Sequence, residues 1–176
     1  PNYMIYGAMS VPNGTFERRL ANLSIGHWAV DSGVGYTYFD QKSGWEYSAV
    51  LGATYNWENH DLDYQNGIGL HLDWAASKFL TKQLQVGVVG YAYQQVTGDS
   101  GPGAVLGDFE SRVFGIGPQV GYIFSIGGDH QGYLNLKGYH EFEAENRPEG
   151  WNVWLTISIS PSPSARCALA ARIASS

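Results

Sequence analysis

Residues 45–57 read WEYSAVLGATYNW, and apolar side chains alternate with small or polar ones along the whole stretch. The odd-numbered positions are aromatic at both ends (Trp45, Tyr47, Tyr55 and Trp57) and carry small or aliphatic residues between. Because successive side chains of a strand point to opposite faces, this stretch predicts a strand with one apolar face. Aromatic residues at both ends of such a face are typical of a strand that crosses a membrane. We therefore expect these four aromatic side chains to form an interfacial girdle.

The length of this strand also suits a bilayer. Twelve steps of about 3.3 Å, tilted by about 40°, rise roughly 30 Å, against an apolar band of about 25 Å with aromatic rims. Seven further runs show period-2 alternation or strand-forming composition, although the run at 84–97 is apolar in both phases. They cover residues 2–11, 27–39, 67–79, 84–97, 110–125, 131–144 and 151–160.

The segments between these runs alternate in length. Those at 40–44, 80–83 and 126–130 are short, whereas those at 12–26, 58–66, 98–109 and 145–150 are longer or more polar. Membrane β-barrels have short turns on one side and longer loops on the other. We predict an all-β fold, an antiparallel up-and-down transmembrane β-barrel with about eight strands in residues 1–160. Residues 161–176, which have prolines at positions 161 and 163, are expected to form a short helix or a disordered tail.

The composition excludes several other classes of protein. Only 15% of the 176 residues are charged, against about 25% in a typical domain, and the chain has 23 glycines. The net charge is −6 and no basic stripe is present, which argues against nucleic acid as a partner. No apolar window reaches 18 residues, so a transmembrane helix is not expected. The single Cys167 excludes an intrachain disulfide and a thiolate metal cluster, and we predict neither a metal nor a cofactor.

Several stretches resemble the family of outer-membrane transporters associated with meta-cleavage phenol degradation. The similarity extends over about residues 1–160. The matching segments are HLDWAASK (71–78), VGVVGYAYQQVTGDSG (86–101), LGDF (106–109), GIGP (115–118), and YHEF (139–142) followed by ENRPEG (145–150). The resemblance implies that this chain is the C-terminal portion of a larger barrel, with more strands and a signal peptide upstream. It also implies passage or binding of aromatic or other apolar small molecules, and it supplies no catalytic residues.

Charged side chains on the non-lipid phase are candidates for the lining of a lumen. These are Glu46, His71, Asp73, Lys137 and Glu141. A polar lumen either pairs such groups across strands or uses them to select solutes. Structural pairing is the more ordinary interpretation. His71 and Asp73 are two residues apart and would share one face, but no nucleophile accompanies them at a catalytic spacing, so we expect no enzyme.

Two loops contain further acidic residues. In the loop after the fifth run, Asp99 and Asp108 could line an inward-folded constriction or hold Ca²⁺ loosely, although an ordinary outer loop is the favoured interpretation. Glu58, His60, Asp61 and Asp63 form an acidic cluster that is either a solvated surface or a contact with divalent ions bridging lipopolysaccharide.

The sequence therefore favours a channel of the bacterial outer membrane for small apolar or phenol-type molecules. Its expected partners are membrane lipid, lipopolysaccharide and these solutes, and the oligomeric state is left open. Because eight strands enclose a lumen that side chains nearly fill, transport depends on the strands upstream. Two alternatives are a structural or adhesive barrel that transports nothing, and a soluble barrel that turns its apolar face inward around a ligand.

Overall fold

The protein is an all-β sheet of eight consecutive strands. The computed structural model describes residues 1–14, 25–127 and 130–161. The strands are β1 (Asn2–Ser10), β2 (Ala29–Asp40), β3 (Trp45–Asn56), β4 (Gly69–Phe79), β5 (Leu84–Gln95), β6 (Arg112–Gly127), β7 (His130–Glu145) and β8 (Trp151–Pro161). Each boundary lies within two residues of the one that the alternation predicts. The described part of the chain contains no helix that could cross a membrane.

Every strand pairs with its sequence neighbours in antiparallel register, in the order β1 to β8, and the curved sheet forms a half-barrel. The register is regular from β1 to β6, for example between Asp31 and Thr54, and irregularities occur only in the pairing of β6 with β7. β1 and β8 are the two edges of this sheet. Their outward side chains are strongly exposed, as with Ile5 at 86% and Ile157 at 63%. The up-and-down antiparallel fold predicted from the sequence is confirmed.

The two faces of the sheet have opposite chemistry. The convex face is covered by exposed apolar side chains such as Val34, Leu51 and Val120. Within the described residues, only Ala29, Val89 and Val113 are fully buried hydrophobic side chains, whereas Ser77, Gln85, Gln119 and Asn135 are buried polar ones on the concave face. This distribution is the reverse of that in a water-soluble domain. It also differs from the soluble barrel considered above, because the apolar face points outward.

The turns at one end of the sheet are short and tightly bonded. In the turn between β2 and β3, the Asp40 carboxylate accepts hydrogen bonds from the Ser43 hydroxyl at 2.6 Å and from the Lys42 backbone N–H at 3.0 Å. Gly44 closes this turn with φ of +74°, a conformation that favours glycine. The connections at the other end, which include residues 57–68 and 96–111, are longer, as the sequence predicts. Residues 162–176, for which a helix or a disordered tail is expected, lie outside the described residues.

Candidate functional site on the concave face

The sheet places all five predicted lumen residues on its concave face. Glu46 on β3 accepts a hydrogen bond from the Gln85 amide of β5 at 3.1 Å, across the intervening strand β4. A contact over two strand spacings requires both side chains to project into the same concavity. The sequence leaves open which side chains of β5 lie on the concave face. The pairing of β5 with β4 and β6 shows that Gln85, Val89 and Tyr91 do.

His71 is the centre of a polar cluster on strands β1 to β4. Its Nε2 lies 2.9 Å from Asp31 Oδ2 and 3.2 Å from the Tyr6 hydroxyl. Its Nδ1 lies 3.7 Å from Asp73 Oδ2, so the two residues paired by the sequence are neighbours. Asp31, which also accepts a hydrogen bond from Thr54, makes the shorter contact. Sequence reasoning did not single out Asp31, although it is the only charged residue inside β2 before the terminal Asp40.

A second cluster extends across strands β5 to β8 around Glu141. The Tyr91 hydroxyl donates a hydrogen bond to the Glu141 carboxylate, and the Asn152 amide lies 3.5 Å from both groups. The Trp154 indole N–H donates to Asn152 Oδ1 at 2.9 Å. The rings of Tyr91 and Tyr139 meet edge to face with centroids 5.1 Å apart. Glu141 is therefore held by neighbouring side chains that the sequence did not identify.

Between these clusters and the short turns, the concavity is filled by neutral polar side chains. Gln119 donates to the Ser77 hydroxyl, and Tyr133 donates to Gln85 at 2.7 Å. The Asn135 amide lies 3.4 Å from the Gln119 carbonyl oxygen. Such a buried amide and hydroxyl network is stable only when most of its groups are bonded, as here. This network narrows the concavity next to the five predicted lumen residues.

Lys137 borders two cavities of the concave face. One of about 500 Å³ is lined by Asp73, Tyr91, Lys137, Tyr139, Glu141, Asn152, Trp154 and Thr156. The other, of about 190 Å³, lies towards Glu46 and Gln119. The larger cavity brings together three of the five predicted lumen residues. Within the described residues, no group of three His, Cys, Asp or Glu side chains is arranged to hold a metal ion.

The loop residue Asp99 joins two long loops to each other. Its carboxylate accepts hydrogen bonds from the Gly67 backbone N–H at 3.0 Å, the Gln95 amide at 2.7 Å and the Tyr64 hydroxyl. Burial, together with the Asp99 carboxylate, raises the pKa of the Tyr64 phenol well above its usual range. Asp108, the other predicted loop residue, is exposed. Asp99 thus has the contacts of a structural carboxylate.

The four girdle residues lie on the convex face in two groups at opposite ends of β3. Trp45 and Tyr47 stack with centroids 5.8 Å apart, and Tyr55 and Trp57 meet edge to face at 5.1 Å. All four are more than a third exposed. The ammonium of Lys78 lies 5.5 Å from the centre of the Trp45 ring. This geometry matches side chains that mark the two rims of an apolar band.

An antiparallel sheet with an apolar convex face, aromatic rims and a polar concave face defines the class of membrane β-barrels. A model of the family described as "Putative MetA-pathway of phenol degradation" matches residues 1–157, and the chain belongs to this family. The resemblance found in the sequence is confirmed.

A solved structure shares the fold. It is the crystal structure of an outer membrane channel from Pseudomonas putida F1, which matches with a TM-score of 0.70 at 15% sequence identity. The match covers 88% of this chain and 57% of that channel, so the chain spans little more than half of the channel's length. No curated protein matches the sequence.

Proposed function

We propose that this chain forms part of a channel in the bacterial outer membrane that admits small apolar or aromatic molecules of the phenol type. The observation that carries the proposal is the inverted distribution of side chains, with an exposed apolar convex face and a polar concave face. Lipid would cover the first, and a solute path would follow the second. Glu46, His71, Asp73, Lys137 and Glu141 would then line the path.

Further strands of the whole protein would complete the barrel. β1 and β8 are open edges of the described sheet, and an open edge in lipid leaves backbone groups without hydrogen bonds. The channel from Pseudomonas putida F1 is longer than this chain. We propose that additional strands pair with both edges and widen the lumen beyond what eight strands enclose.

The contacts with the membrane follow from the same arrangement. The girdle formed by Trp45, Tyr47, Tyr55 and Trp57 would anchor β3 at both interfaces. The acidic loop cluster, Glu58, His60, Asp61 and Asp63, would meet divalent ions bound to lipopolysaccharide. Within the part of the chain that the structure describes, their side chains form one ion-pair contact, between His60 and Glu58 at 3.9 Å, which leaves their charges available.

The test is single-channel recording of the full-length gene product in planar bilayers, with and without phenol. We expect discrete conductance steps that phenol reduces. Asp73→Ala and Glu141→Gln should change the conductance, whereas Asp61→Asn in the outer loop should not alter the response to phenol. A folded full-length barrel that passes no current, and that permits no solute entry in liposome-swelling assays, would refute transport.

A structural or adhesive barrel is the second candidate, and one observation favours it. Val105 and Leu106, at the tip of the loop between β5 and β6, are 87% and 75% exposed. Apolar side chains at a loop tip are suited to contact another surface. This function predicts that Val105→Asp with Leu106→Asp abolishes cell attachment, and that Asp73→Ala has no effect on fitness.

A further inference from the structure

The larger cavity of the concave face has aromatic walls. The rings of Tyr139 and Trp154 border it, and Trp154 remains 62% exposed. With about 500 Å³, the cavity has room for a single-ring aromatic molecule. A planar ring would stack on these walls with little loss of conformational freedom.

Four of the eight residues that line this cavity are already bonded to one another, namely Tyr91, Glu141, Asn152 and Trp154. Glu141 accepts from Tyr91, and Asn152 is held by the Trp154 indole at 2.9 Å. These residues shape the cavity, but their hydrogen-bonding capacity is largely occupied. A ligand that bonds to them must first displace one of these hydrogen bonds.

Two charged groups of opposite sign at this cavity are not bonded in this way. The side chain of Lys137, which is half-buried, forms no hydrogen bond or ion pair with any residue in ranges 1–14, 25–127 and 130–161. The Asp73 carboxylate is 61% exposed, and its one ion-pair contact there is the 3.7 Å approach to His71. Asp73 and Lys137 line the same cavity without touching each other. A half-buried charge without a partner is costly, so a ligand that supplies one gains affinity.

We propose that this cavity binds an aromatic ring carrying both a carboxylate and a hydroxyl group. The carboxylate would accept charge-assisted hydrogen bonds from Lys137, and the hydroxyl would donate to Asp73, while the ring lies against Tyr139 and Trp154. The assignment rests on the proposed function, since it takes the concave face to be the lumen, and it narrows the solute to hydroxylated aromatic acids.

Simpler aromatic molecules satisfy only part of this site. Phenol leaves Lys137 without an anion, benzoate leaves Asp73 without a donor, and toluene satisfies neither. Because specificity is a difference between affinities, each missing group should lower binding. Loss of one charge-assisted hydrogen bond corresponds to about a tenfold weaker affinity.

The test is isothermal titration of the folded full-length protein in detergent with four probes: 4-hydroxybenzoate, benzoate, phenol and toluene. We expect 4-hydroxybenzoate to bind about tenfold more tightly than either benzoate or phenol, and toluene to bind most weakly. Lys137→Met should reduce 4-hydroxybenzoate to the affinity of phenol and leave phenol unchanged. Asp73→Ala should reduce it to the affinity of benzoate. Lys82→Met, in the turn between β4 and β5, is the matched control and should have no effect.

Equal affinities for 4-hydroxybenzoate and phenol, or an unchanged affinity in Lys137→Met, would overturn the assignment. Binding and conduction are measured separately, so the two proposals fail separately. A conducting channel without the predicted order of affinities retains the proposed function and loses this ligand. The predicted order in a barrel that does not conduct retains the site and refutes the channel.

Discussion

Glycines opposite aromatic rings determine how closely neighbouring strands pack in this sheet. Gly115 pairs with Tyr91 across β5 and β6, and a Cβ at position 115 would overlap the tyrosine ring. On the convex face, Gly90 pairs with Trp74 across β4 and β5, and a Cβ at position 90 would overlap the indole ring. Each ring therefore lies across the backbone of the next strand. The glycine content is obvious from the sequence, but the partner of each glycine depends on a register between strands that no local pattern encodes.

Replacement of Gly115 by alanine should destabilise the barrel. The added methyl group must displace the Tyr91 ring, and such overpacking typically costs about 1–3 kcal/mol. The measurement is urea unfolding of the full-length protein in detergent, followed by its heat-modifiable migration. Gly138→Ala is the matched control, because a Cβ at that position of β7 meets nothing within 4 Å. Equal stability of the two variants would contradict this packing of Tyr91 against Gly115.

Tyr64 should remain protonated at a pH where an ordinary tyrosine ionises. Burial and the neighbouring Asp99 carboxylate raise its pKa above the usual 10.0. Because the folded-state pKa exceeds the unfolded value, the resulting stability is complete below pH 10 and is lost as the pH rises through the folded-state pKa.

The check is a near-ultraviolet absorbance titration, in which the Tyr64 signal is the difference between the full-length protein and Tyr64→Phe. Asp99→Asn should shift the midpoint of this signal downward, and Asp108→Asn should leave it unchanged. A midpoint at the ordinary tyrosine value in the unmodified protein would disagree with the structure.

The strands and the lengths of their connections could be predicted from the sequence, whereas the contacts between loops could not. Alternation is a local pattern, so a stretch such as 45–57 shows both the length of its strand and which side chains share each face. Loop contacts join distant positions, as between Gln65 and Ser100, which exchange backbone hydrogen bonds at 2.9 Å. The same limit applies to the site. Alternation along the strands assigns His71 and Glu141 to the inner face. Their partners, Asp31 and Tyr91, follow only from the pairing of strands.

Asp99 should hold the loops 57–68 and 96–111 together as one element. Asp99→Ala leaves the Gly67 N–H without its acceptor, and a buried donor left unpaired typically costs about 1–3 kcal/mol. The Gln95 amide also loses Asp99 but retains the carbonyl oxygens of Thr97 and Phe109. We expect faster amide hydrogen exchange in both loops and unchanged exchange in β3 and β4. Asp108→Ala, at an exposed position, should leave both loops protected. Loss of protection in only one loop would show that Asp99 does not join them.

For the whole molecule, the proposed function depends on which face meets lipid and which meets water. Leu72 and Asp73 are adjacent on β4 and point to opposite faces, the first exposed on the convex side and the second lining the concave cavity. The same opposition is repeated along the sheet. The sequence predicts this division because side chains two residues apart share a face of a strand. The width of a lumen depends on the number of strands in the barrel, which no local pattern encodes.

The most direct measurement is block of single-channel current by a charged, water-soluble thiol reagent in the full-length protein. The variants Leu72→Cys and Asp73→Cys are made with Cys167→Ser, which removes the only native thiol of this chain. We predict a stepwise fall in current when the reagent meets Asp73→Cys and no change with Leu72→Cys. A conducting channel in which Asp73→Cys is insensitive to the reagent and Leu72→Cys is blocked would contradict the assignment of the concave face to the lumen.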